Sequence, residues 1–179
     1  MATNPAKMVK NNLPKLMLAF ATITKHELLV GVPADSTARD AGSMNNATLA
    51  YIHDNGAPEA NIPARPFMRP GIKKVERDIT LQFKTAASKA MQGEDVVLRY
   101  MHRAGLIVQN SIRNTINEGI PPPLAESTLR GRARRNMKGS KAELASRAAG
   151  NAPSIDTTTP LVVTGGLRNS ITYVVREKK

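Results

Sequence analysis

The sequence predicts an α+β fold, with a small and mainly antiparallel sheet packed by two long helices and a long basic loop or arm. Three observations carry that expectation. Apolar residues recur at intervals of three and four from Ile72 to Met91 and again from Glu94 to Asn117, the spacing of one buried helical face. Short aliphatic runs stand near both ends of the chain. Residues 119–160 change character to a basic stretch with few large apolar groups.

Taken in order, Lys7 to Lys25 places Met8, Leu13, Leu16, Met17 and Phe20 in a loose helical pattern that Pro14 interrupts, so a short or kinked helix is expected. Glu27 to Val32, ended by Pro33, reads as a strand, and Ala34 to Asn46 reads as a loop of turn-forming residues. Asn46 is the expected cap of a short helix, Ala47 to Asp54, with Leu49, Tyr51 and Ile52 facing inward and Asn55-Gly56 stopping it. Pro58, Pro63, Pro66 and Pro70 argue against a helix or central strand over 57–70, leaving a semi-rigid extended connector that Gly71 releases.

In the two long helices the inward positions are Ile72, Val75, Ile79, Phe83, Ala86 and Ala90, then Val97, Met101, Ala104, Val108, Ile112 and Ile116. Gly93 ends the first, and Glu94 and Asp95 suit the positive end of the second, which closes at Glu118-Gly119. Leu161 to Val163 and Ser170 to Arg176 read as the remaining strands, joined in a hairpin over 161–176 that Gly165 and Gly166 turn. The organisation is thus a single domain over 1–179: helix, strand and loop (1–45), connector (57–70), helical pair (71–118), basic extended arm (119–160) and C-terminal hairpin (161–176).

The 179 residues include 26 Lys and Arg against 14 Asp and Glu, a net charge of +12, and no Cys. A chain of this length buries roughly 70% of its unfolded surface and needs no disulfide or metal staple. Without Cys there is no thiolate zinc site, iron–sulfur cluster or Cys nucleophile. An aromatic content of 3% counts against a stacking platform for single-stranded nucleic acid. No apolar run approaches the ~20 residues of a membrane helix, and the start of the chain has no secretory-signal pattern. So basic a protein is expected to meet DNA, RNA, an anionic lipid surface or an acidic protein.

No metalloprotease, nucleophile-elbow, phosphate-loop or dinucleotide motif is present. His53, Asp54 and Glu59 form the one cluster that could serve acid/base or metal chemistry; the plainer reading is a helix end, a turn and a solvated loop acid. From Arg130 to Arg147, seven bases (Arg130, Arg132, Arg134, Arg135, Lys138, Lys141, Arg147) face one acid, Glu143, a net +6. This arm reads as a mobile contact for an acidic partner or DNA phosphates, or as a solvated loop. In the connector, prolines lower the entropy lost on ordering, Ile62 and Phe67 offer anchors, and Arg65 and Arg69 offer planar donors. That suits docking onto a partner; the alternative is that Phe67 plugs the domain's own core and Arg65 pairs locally.

Four segments are more specific: Leu49-Ala-Tyr-Ile-His-Asp-Asn-Gly56, Ile62-Pro-Ala-Arg-Pro-Phe-Met-Arg-Pro70, Pro123-Leu-Ala-Glu-Ser-Thr-Leu129 and Pro160-Leu-Val-Val-Thr-Gly-Gly-Leu-Arg-Asn-Ser-Ile171. In order and spacing they resemble the tailed-bacteriophage virion morphogenesis proteins, the neck or tail-completion family also called minor tail components. The resemblance runs from about Leu49 to Val175. The family often has Glu-Phe-Gly where this chain has His53-Asp54-Asn55-Gly56, and Asp before Thr-Gly where this chain has Val163.

The resemblance implies a structural virion protein, without enzymatic activity, cofactor or membrane contact, that completes the tail and joins it to the portal-connector of the DNA-filled head. The implied assembly is a homo-oligomer, a hexameric ring, whose partners are the head-tail connector and the tail tube or tail terminator proteins. Non-specific contact with packaged DNA, residence in the neck of the virion and assembly in the host cytoplasm follow from the same resemblance. A basic nucleic-acid-binding protein outside the virion is the second reading, and an enzyme built on His53, Asp54 and Glu59 the third.

Overall fold

The structure is a computed structural model that describes residues 13–34 and 44–178. The expected helical residues 7–12 and loop residues 35–43 lie outside them. Among the described residues eight α-helices and two strands follow in the order α1 (Leu13–Lys25), β1 (His26–Gly31), α2 (Asn46–Asn55), α3 (Met68–Lys74), α4 (Glu76–Lys89), α5 (Glu94–Glu118), α6 (Glu126–Arg134), α7 (Ser140–Ala148), α8 (Gly166–Ser170) and β2 (Thr172–Glu177). The fold is α+β.

Helix α5 is the spine. Its expected stripe of Val97, Met101, Ala104, Val108, Ile112 and Ile116 is buried throughout, each residue at most 3% exposed. The lower half of the stripe joins Phe67, Ile120, Leu167 and Ile171 in one core cluster. The upper half joins Ala86, Ala90, Phe83, Leu28 and Val175 in another. At roughly 1.5–3 kcal/mol for each large apolar side chain enclosed, this stripe is the main source of stability. Close approach is built in. A Cβ at Gly71 of α3 would lie 2.8 Å from Ile112 Cα, and one at Gly105 would lie 2.3 Å from the Tyr173 ring, so small residues let α3 and β2 settle directly on α5.

Several expected boundaries move, each for a local reason. Pro14 sits in the first turn of α1, where its missing N–H is no loss, and does not kink it. Asn45, rather than Asn46, caps α2 by accepting from Thr48 N at 2.7 Å, while Asn46 is 1% exposed and Tyr51 points outward at 71% exposure. The connector is not extended to its end: a 3₁₀ turn covers Pro58–Ala60, and α3 begins at Met68, so Pro70 occupies a first turn and Gly71 is helical. The helix expected over 72–91 is divided at Val75, whose φ of −116° separates α3 from α4.

The sheet has two strands. β1 and β2 pair antiparallel, His26 opposite Glu177 and Gly31 opposite Thr172, joining segments far apart in the chain. The expected third strand at Leu161–Val163 and the hairpin over 161–176 do not form. Leu161 has φ 66°, outside the strand region, and Gly165 at φ 79° precedes α8 instead of turning a hairpin. Leu161 and Val162 pack on the core without joining a ladder.

Residues 119–160 carry helices α6 and α7, which corrects the reading of this stretch as an extended loop or arm. Helices α6 and α7 close on one another around Leu129, fully enclosed, and Glu143, 2% exposed. Glu143 Oε1 accepts from Ser154 N at 2.8 Å and from Arg147 Nε at 2.9 Å, and its Oε2 accepts from Thr157 Oγ1 at 3.0 Å. Arg147 also donates to Leu124 O at 3.0 Å. The arm is held by a charged hydrogen-bond knot, and hydropathy patterning registers only apolar cores.

The Ser154 N–H first, then Arg147 and Thr157, hold the Glu143 carboxyl below the ordinary carboxylate range, against the opposing effect of burial. A depressed folded-state value means that this contribution to stability is present above the unfolded Glu value of about 4.3 and is lost as pH falls through the folded value. Glu143→Gln is expected to lower the neutral-pH melting temperature, flatten the decline below about pH 4.3, and open 130–147 to trypsin. Melting curves across that range and limited proteolysis check it. Equal trypsin sensitivity of parent and variant would refute the knot's role.

Candidate functional site

Helix α2 ends in a turn that only glycine fits. Gly56 has φ 81°, and a Cβ there would lie 2.7 Å from Ala64 N, so the chain doubles back closely on itself. Ala57 pairs with Ile62 across the 3₁₀ turn, and Arg65 N donates to His53 O at 2.7 Å. Asp54 Oδ1 then accepts from Phe67 N at 2.8 Å and Met68 N at 3.0 Å, capping α3 from a distance. Asp54 is therefore a structural cap, and Glu59 is exposed on the 3₁₀ turn. Among the described residues no group of three or more His, Cys, Asp or Glu is placed to hold a metal ion.

Beside this turn lies an open cleft of about 1660 Å³. One wall is α2 and the connector, with Leu49, His53 and residues 61–65. The second is α6 with its C-cap, where Thr128, Gly131, Arg132 and the capping Arg135 fall at helical spacing on one side. The third is 161–167, brought in by the core contacts of Leu161 and Leu167.

Arg65 is 6% exposed, and its guanidinium donates to Pro122 O at 2.9 Å from Nη2 and at 3.3 Å from Nε. It ties the connector to the start of the arm, where the Pro121–Pro122 peptide is cis. Burial pushes the Arg65 guanidinium below its ordinary value. Arg132 is shifted the same way, by burial first and by the charge of Arg65 second.

The remaining candidates divide. Phe67 is fully enclosed in the core and cannot anchor another subunit, so its place as a partner contact is corrected. Arg65 likewise serves this chain's own carbonyls. Ile62 is half-buried in the cleft wall, and Arg69 is exposed on α3. Within the arm, Arg130 pairs with Glu126, Arg132 donates to Thr159 O at 3.1 Å, Arg147 belongs to the Glu143 knot, and Lys141 donates to Asn136 Oδ1 at 2.9 Å. Arg134, Arg135 and Lys138 are exposed, with no side-chain hydrogen bond or ion pair among the described residues.

Sequence reasoning missed that Arg65 of the connector and Arg132 of the arm line the same cleft, and it missed the wall at 161–167. The 128, 131, 132, 135 spacing, together with Glu126–Arg130 and Glu143–Arg147 at i, i+4, was the available signal that 119–160 is helical.

Phe67→Ala is expected to cost about 3–5 kcal/mol and lower the melting temperature by roughly 10 °C. Arg65→Lys, which loses the planar fork on the proline carbonyls, should cost about 1–3 kcal/mol, and Arg69→Ala less than about 0.5 kcal/mol. Thermal denaturation of the three variants checks the order, and a Phe67→Ala protein that melts like the parent would contradict the core assignment.

No family model and no solved structure matches the chain. A 36-residue stretch, 20% of this chain, is 49% identical to part of an uncharacterized protein of Methanocaldococcus jannaschii. The stretch spans about a quarter (27%) of that relative's length. No helix among the described residues is long and apolar enough to cross a membrane.

Proposed function

We propose that the chain is an architectural component of a tailed-bacteriophage particle, a homo-oligomeric ring of six copies at the junction of the portal-connector stack and the tail. One observation carries this reading. The four segments that resemble the neck and tail-completion proteins fall in three separate stretches of the chain, 49–70, 123–129 and 160–171, yet each lines the same cleft: Leu49 and His53 from the first, Ile62 and Arg65 from the second, Leu124 and Thr128 from the third, Thr164 and Leu167 from the fourth. Motifs that converge on one surface feature act together, whereas four accidental likenesses have no reason to meet. The head-tail connector and the tail tube or terminator proteins are the partners of this role, and the virion neck is its place. The exposed Arg134, Arg135 and Lys138 are the cations available to packaged DNA or an acidic neighbour.

Those same cations favour the second reading, a nucleic-acid-binding protein outside the virion. Electron microscopy of purified particles carrying an epitope-tagged chain separates the two. Label at a single position between head and tail is expected, and deletion of the gene should leave full heads and unattached tails. A chain missing from purified particles, together with steeply salt-dependent DNA binding by the isolated protein, would replace the first reading with the second.

A further inference from the structure

The charges around the cleft do not balance. Arg65, Arg132 and Arg135 line it, and among its described lining residues none is Asp or Glu. Carbonyl oxygens of Pro122 and Pro123 satisfy donors of Arg65 but bring no countercharge. Arg132 donates one nitrogen to Thr159 O, while its enclosed Nε has no partner among the described residues. Holding two guanidiniums close together and partly out of water is unfavourable unless a carboxylate or other anion joins them. The remainder of the lining interleaves aliphatic side chains, Leu49, Ile62, Leu124, Leu161 and Val163, with uncharged polar residues and glycines.

We propose that the cleft binds an extended segment of another polypeptide, seating an Asp or Glu carboxylate on Arg132 and Arg135 and its aliphatic neighbours against Ile62, Leu124 and Val163. Three features favour a peptide. The volume of about 1660 Å³ exceeds the roughly 300–1,000 Å³ of a small-molecule site and accommodates several residues of extended chain. The lining has no Phe, Tyr or Trp on which a base would stack. Aliphatic side chains beside the half-buried Arg132 and the exposed Arg135 complement a carboxylate between apolar side chains, whereas a phosphate backbone has no apolar side chains to place against them. This inference goes beyond the virion role and holds whether or not the chain resides in a neck.

The test is selection from a random linear peptide library displayed against the full chain, with enriched peptides measured by fluorescence anisotropy. Enriched sequences should share one Asp or Glu beside Leu, Ile or Val. Changing that acid to its amide should weaken binding about tenfold or more. Arg135→Gln, at an exposed position, should do the same without moving the melting temperature, and Arg132→Gln should weaken binding further. If Arg132→Gln also loses stability, Arg135→Gln decides. No enrichment, enrichment of acid-free peptides, binding indifferent to Arg135→Gln, or binding of a single-stranded oligonucleotide or inorganic phosphate in place of peptide would each overturn the proposal.

Discussion

A helix of 25 residues with one continuous apolar stripe has no stable existence in water, and the covering of α5 is the constraint from which the rest of this structure follows. Helices α3 and α4 take one flank, the β1–β2 ribbon another, and the turn into α8 the far end. Small residues set how close each comes, and polar groups on α5 set the register. Ser111 Oγ donates to Gly71 O at 2.6 Å, while Gln109 Nε2 and Arg113 Nη2 both donate to Ile171 O, at 2.9 and 2.7 Å. The apolar stripe supplies affinity between elements. These directional bonds choose one arrangement among the many that would bury the same area.

The second principle of construction is a buried or half-buried charge that holds the backbone of another segment. Asp54 caps α3, Arg65 grips the carbonyls of Pro122 and Pro123, and Glu143 gathers Ser154, Thr157 and Arg147. Hydrogen bonds to charged groups are worth about 1.5–3 kcal/mol each, and removing one partner leaves a desolvated group exposed to its full cost. Such knots supplement the few large apolar side chains, Phe67, Ile120, Leu124 and Leu129, that 57–70 and 119–160 bury. They also explain how a segment so rich in Arg and Lys remains folded: Arg132 and Arg147 bond the chain's own carbonyls, and Arg130 pairs with its neighbour Glu126.

The cleft is where these two principles meet and stop short of completion. Its walls are set in place by the core and the charged knots, but the guanidinium charge that lines it meets no carboxylate among the described lining residues. Three guanidiniums on one concave surface without a carboxylate among the described lining residues are the kind of local charge imbalance expected of a binding site.

By itself the sequence determined the elements whose signal is local or periodic. The six buried positions of α5, the ends of that helix at Gly93 and Gly119, the strands near residues 26–31 and 172–177, and the stop at Asn55-Gly56 are all legible, because periodicity and glycine placement act over a few residues. Only tertiary structure decided the rest. That β1 would pair with β2 rather than Leu161–Val163, that Phe67 would be core rather than surface, and that Arg65 and Arg132 would line one cleft depend on contacts between residues far apart in the chain. The order of 119–160 was hidden for a further reason: its interior is a hydrogen-bonded carboxylate, and a polar residue looks the same in a sequence whether its partners are water or the protein.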